Sequence, residues 1–127
     1  MTKDPKALLL AAASLMAWSS GLHAENWPSW RGPGGLGVSA ETSLPLRWGS
    51  GAGAKENIAW TFDDPGLGHS SPIVWERALF FTTAAGESRL LLRLDASTGK
   101  EFWRKEILKA PLERKNPKNS HASATPR

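Results

Sequence analysis

Three groups of histidine, serine and glycine residues could in principle form a catalytic pair, a nucleotide-binding loop or a metal site. His69 precedes Ser70 and Ser71, the residue types of a base and a nucleophile. Adjacent strand residues point to opposite faces, and no G-x-S-x-G turn is present, so we predict a turn that enters a strand. Residues 32–37 match G-x-G-x-x-G, but no strand precedes them and no helical pattern follows. His69 and His121 are too few and too far apart to predict a metal site.

Composition narrows the function classes further. The chain has 127 residues, a net charge of +4 and no cysteine. This charge is too mild to predict a nucleic-acid partner. Without cysteine there is no disulfide, no thiolate ligand and no thiol for lipidation. We therefore predict no catalytic residue and no metal ligand, and the sequence alone assigns no cofactor-binding residue.

The first part of the chain reads as a targeting segment. Residues 1–6 carry two lysines, residues 7–18 are uncharged and almost wholly apolar, and a short polar stretch leads to Ala24. This order is typical of a secretory signal peptide, and the apolar run is too short for a membrane-spanning helix. We predict a signal peptide over residues 1–24, no transmembrane anchor after cleavage, and an exported protein of the periplasm or cell surface.

The composition and hydrophobic pattern of the sequence change near residue 57. Residues 25–56 are rich in glycine and proline and hold no lasting period, so they predict an irregular segment. Beyond them, short runs of β-branched, aromatic and leucine residues alternate with turn signals, which indicates an all-β antiparallel protein. The predicted strands cover residues 57–62, 71–75, 78–83, 89–95 and 100–107.

A weak internal repeat links these strands. An apolar strand ending at Trp60 is followed by His69-Ser70-Ser71-Pro72, and a second one containing Trp103 is followed by the similar segment 121–126. The spacing of the two tryptophans along the sequence is typical of one four-stranded propeller blade, which spans about 40–45 residues.

The most specific motif runs from residue 94 to residue 103, Leu-Asp-Ala-Ser-Thr-Gly-Lys-Glu-Phe-Trp. The carboxylate of Asp95 can accept backbone N–H groups inside the turn, and the hydroxyl of Thr98 can do so more weakly. Gly99 supplies a positive φ without steric cost, and Trp103 stands where a flat ring can wedge between neighbouring sheets. We predict that these residues and Trp60 build a blade.

This motif resembles the blade motif of pyrroloquinoline-quinone-like repeats, which occur in quinoprotein alcohol dehydrogenases and in the propeller lipoprotein of outer-membrane protein assembly. Four further elements in the expected order extend the resemblance, whereas Arg93 stands where many repeats have alanine. Those elements lie at residues 27–33, 45–48, 57–60 and 68–72. The resemblance implies that residues 57–127 form the first part of a propeller domain: a closing strand, one four-stranded antiparallel blade and the start of a second. The fold class expected is all-β, an incomplete β-propeller of one blade with flanking strands.

Three functions are compatible with that resemblance. The favoured one is a non-catalytic binding or scaffold module, with the remaining propeller blades and other proteins as partners and no cofactor on this chain. The second is a piece of a quinoprotein dehydrogenase, whose pyrroloquinoline quinone and calcium would lie on the propeller axis. The third is a truncated chain without independent function. The blade motif does not separate them, because its residues build the blade.

Overall fold

A computed structural model of the chain describes residues 25–49 and 56–127. The signal peptide predicted over residues 1–24 lies outside this part. The described chain forms a single open four-stranded antiparallel sheet and almost no helix, so the all-β prediction is confirmed. The elements, in chain order, are a 3-10 helix at Pro33–Gly35 and the strands β1 Ile73–Trp75, β2 Ala78–Ala85, β3 Ser88–Asp95 and β4 Glu101–Lys109. No helix within residues 25–49 and 56–127 has the length and apolar character needed to cross a membrane.

The strands follow one another in the sheet in chain order, β1-β2-β3-β4. Because side chains alternate along a strand, the register divides them between two faces. Phe80 lies opposite Ile73 and Arg93, and Arg93 lies opposite Trp103; we call this side face A. We call the other side face B. On it, two residues of β2 lie directly opposite residues of β3: Leu79 opposite Leu94, and Phe81 opposite Leu92.

The two faces are covered to different extents. On face B, Leu92 and Leu94 are almost completely buried. Phe62, from the segment before β1, contacts Phe81 edge to face with ring centroids 6.0 Å apart. On face A, Trp75 remains 53% exposed and Trp103 38% exposed. Face B therefore holds the more completely buried leucines. Face A keeps its two tryptophans partly exposed, although Ile73 and Ala78 on the same face are buried.

No strand forms over residues 57–62 in the described chain, so the closing strand expected there is not observed. A strand needs a neighbouring backbone to supply its hydrogen bonds, and this segment lies over a sheet face instead of beside an edge. Its side chains hold it in place. Phe62 packs on Phe81, and the indole N–H of Trp60 donates to the carbonyl of Ala96 at 3.0 Å.

The edge of the sheet at β1 is partly occupied. Trp27 forms an antiparallel bridge with Val74, with N–H···O distances of 2.8 and 2.9 Å in the two directions. Pro28 follows at once and has no N–H to continue the ladder. The opposite edge, β4, is exposed along nearly its whole length and carries many charged side chains. Charged residues of this kind protect an open edge from pairing with other chains.

Candidate functional site

The turn between β3 and β4 is organised by one carboxylate. Oδ1 of Asp95 accepts the backbone N–H groups of Ser97 and Thr98, each at 2.9 Å, and the hydroxyl groups of both residues. Its Oδ2 lies 3.4 Å from the Arg77 guanidinium. The hydroxyl of Thr98 in turn accepts the N–H of Lys100 at 3.3 Å.

These contacts stabilise the ionised form of Asp95. The hydroxyl of Ser97 has the largest effect, and together with the other donors it lowers the pKa of Asp95 from 3.8 to about 2, against the opposing effect of desolvation. A carboxyl group with so low a pKa is ionised near neutral pH and is a weak base, and its contacts are those of a residue that fixes the turn.

Gly99 brings Trp60 into the same cluster. Gly99 has a φ of 71° and is buried. A Cβ atom at this position would lie 2.5 Å from Cε3 of Trp60, so only glycine allows the indole ring to lie this close to the turn. The structure therefore joins Asp95, Thr98, Gly99 and Trp60 at one end of the sheet.

Trp103 does not join that cluster. It lies on face A, where its ring centroid is 6.1 Å from that of Phe80. Beside it, a register shift in the β3–β4 pairing leaves Phe102 without a directly opposite residue. The guanidinium of Arg93 lies over the Phe102 ring, 4.4 Å from its centroid, which is a cation–π contact.

The two histidine-containing segments of the repeat lie side by side. The N–H of His69 donates to the carbonyl of Ala122 and to the hydroxyl of Ser120, both at 3.0 Å. The hydroxyl of Thr82, on β2, donates to the carbonyl of Ala124 at 2.8 Å. We call this junction of residues 67–71 with residues 119–125 the repeat seam. Sequence spacing indicated the repeat but gave no sign that its two copies would be in contact.

The serines after His69 are used in backbone contacts. The hydroxyl of Ser70 accepts the N–H of Thr82 at 3.2 Å, and the N–H of Ser71 donates to the hydroxyl of Thr125 at 3.4 Å. Within the described ranges, no three or more histidine, cysteine or acidic residues are grouped so that they could hold a metal ion.

Comparisons with protein-family models, with curated proteins and with solved structures found no match for this chain.

Proposed function

We propose that the four-stranded sheet is one blade of a pyrroloquinoline-quinone-like β-propeller, and that the protein is an exported, non-catalytic binding or scaffold module. One observation carries this proposal. Trp60 lies against Gly99 on the side of face B, whereas Trp103, its counterpart in the repeat, lies partly exposed on face A. Trp103 is thus free to cover the glycine turn of a following repeat in the way that Trp60 covers this one.

The same geometry gives the order in which the sheets would stack. Residues 57–62 correspond in the repeat to the region of β4 that holds Trp103, and they cover face B. Face A, which carries Trp103, would accordingly meet face B of the next sheet. Because a heterologous contact of this kind closes into a ring when the rotation allows, repetition of it yields a propeller.

The distribution of apolar surface supports stacking on face A. A mostly apolar groove of about 410 Å³ runs over this face. Its walls are formed by Pro28, Ile73, Trp75, Phe80 and Leu91, and by Pro126 and Arg127 from the segment that follows the repeat seam. Contiguous apolar surface on a soluble protein marks a place of contact. In the described part of the chain only a few apolar residues are buried, namely Ile73, Ala78, Leu92, Leu94 and Ala122. A neighbouring sheet would complete this small core.

The proposal is tested by adding a second sheet. In the lengthened chain, residues 1–120 are followed by a second copy of residues 69–109, so that the copied histidine takes the place of His121. The chain has no cysteine, so a single introduced thiol reports local accessibility. Leu91 and Leu90 are neighbours in β3, both half-buried, on face A and face B respectively.

We expect thiol labelling of Leu91→Cys to slow by about tenfold in the lengthened chain relative to the original chain, because face A becomes covered. The matched variant Leu90→Cys, made in the first sheet of each chain, should label at the same rate in both. Equal rates for Leu91→Cys in the two chains would contradict stacking on face A.

Export is the second part of the proposal and is supported by the sequence of residues 1–24. Mass spectrometry of the exported fraction should find Glu25, or a residue within a few positions of it, at the N-terminus. Retention of Met1 in that fraction would contradict cleavage.

A further inference from the structure

A cavity of about 350 Å³ opens beside the repeat seam. One side is formed by residues 67–69 and by the β2–β3 turn, and the other by the loop that follows β4 and by residues 119–121. Both repeat-related histidines, His69 and His121, line it. The cavity shares no lining residue with the groove on face A and none with the turn cluster at Asp95.

The polar lining of this seam cavity is rich in hydrogen-bond donors. Lys115 and both histidines line it, together with Asn119 and Ser120. Among the residues that the structure describes, no aspartate or glutamate lines the cavity. A site that offers a lysine and several side chains able to donate N–H or O–H groups, without an opposing carboxylate in its described lining, is complementary to an oxygen anion.

The rest of the lining is apolar. Leu67, Leu112, Ala84 and Pro117 form walls beside the polar groups. Small-molecule sites combine a mostly apolar wall with a few convergent polar groups, and they span about 300–1,000 Å³, so this cavity has the size for a compact ligand. Apolar walls next to a cation favour an anion that carries a hydrocarbon or aromatic body over a bare inorganic ion.

We infer that the seam cavity binds a small organic carboxylate, whose carboxyl group contacts Lys115 and the two histidine rings and whose apolar body packs on Leu67 and Leu112. This inference goes beyond the proposed scaffold function, because the cavity is formed within the described chain and does not require face A to be covered.

The test is an NMR titration of the histidine-labelled chain, in which His69 and His121 are the reporters. The probes are benzoate, its uncharged analogue benzamide, and inorganic phosphate. Benzoate should shift the signals of both histidines saturably, with a Kd of about 1 mM, a value expected for so small a ligand. Benzamide and phosphate should each bind at least about tenfold more weakly than benzoate, because benzamide lacks the negative charge and phosphate lacks the apolar body.

Substitutions test the charged part and the apolar part of the cavity separately. Lys115→Gln should weaken benzoate binding by about fivefold through loss of the charge. Leu112→Ala should weaken it by a similar factor through loss of the apolar wall. Lys118→Gln is the matched control, since it removes a charge from the same loop at a residue that does not line the cavity, and it should leave binding unchanged.

The inference would be overturned by equal binding of benzamide and benzoate, by equal binding of phosphate and benzoate, or by equal effects of Lys115→Gln and Lys118→Gln. Absence of any saturable shift with benzoate would overturn it as well. None of these results bears on the stacking of sheets, which the thiol-labelling experiment tests separately.

Discussion

Replacing Gly99 by alanine tests the contact on which the turn cluster depends. The added methyl group would lie 2.5 Å from the ring of Trp60, far inside contact distance, and the backbone φ of 71° is unfavourable for any residue with a Cβ. Trp60 must then move, and the hydrogen bond from its indole to the Ala96 carbonyl is strained or broken.

The magnitude follows from three contributions. The left-handed backbone costs about 1 kcal/mol for a residue with a Cβ. Loss of the indole hydrogen bond costs about 1 kcal/mol, and poorer packing of the ring costs about 1 kcal/mol more. Gly86→Ala is the matched control, because Gly86 has a φ of 57° but no atom within 4 Å of the added methyl group. It should cost only the backbone contribution of about 1 kcal/mol.

Urea unfolding followed by far-UV circular dichroism measures both variants without relying on the fluorescence of Trp60. Gly99→Ala should lower the free energy of unfolding by about 3 kcal/mol, and by only about 1 kcal/mol when Trp60 is already replaced by alanine. Equal destabilisation by Gly99→Ala and Gly86→Ala, or no coupling to Trp60→Ala, would refute the account of this cluster.

Two further predictions concern hydroxyl and carboxyl groups. The buried hydroxyl of Thr83 has no hydrogen-bond partner among the described residues, so Thr83→Val should raise the free energy of unfolding by about 1 kcal/mol. The control Thr82→Val breaks the hydrogen bond to Ala124 and should lower the free energy of unfolding by about 1 kcal/mol. A loss of stability in Thr83→Val would contradict the first expectation. Because folding lowers the pKa of Asp95 to about 2, its stabilising contribution is complete above 3.8 and is lost as the pH falls towards 2. Acid should therefore destabilise the unmodified chain more steeply than Asp95→Asn over that range, and parallel pH profiles in urea unfolding would contradict the role of the carboxylate.

Local chemistry explains what could be predicted from the sequence. The turn at Asp95, Thr98 and Gly99 depends on atoms only a few residues apart, so residue types and spacing indicate it. The four strands of the sheet were likewise predicted within a few residues of their observed bounds, because turn signals separate apolar runs of strand length.

The remaining features depend on contacts between distant residues. Residues 57–62 have the composition of a strand, but a strand requires a partner backbone, and this segment lies against a sheet face instead. The bridge between Trp27 and Val74 joins an irregular segment to β1, and no periodic pattern marks it. Trp60 and Trp103 occupy equivalent positions of the repeat, so the sequence alone does not distinguish their surroundings. In the structure they lie on opposite sides of the sheet.

The measurement that tests the blade proposal most directly is the cost of Trp103→Ala in two chains. In the original chain Trp103 is partly exposed and contacts Phe80, so its loss should lower the free energy of unfolding by about 1 kcal/mol. In the lengthened chain, with the substitution made in the first sheet only, the ring should lie buried against the glycine turn of the second sheet, and its loss should cost about 3 kcal/mol or more. The same small cost in both chains would contradict the proposal that Trp103 joins one blade to the next.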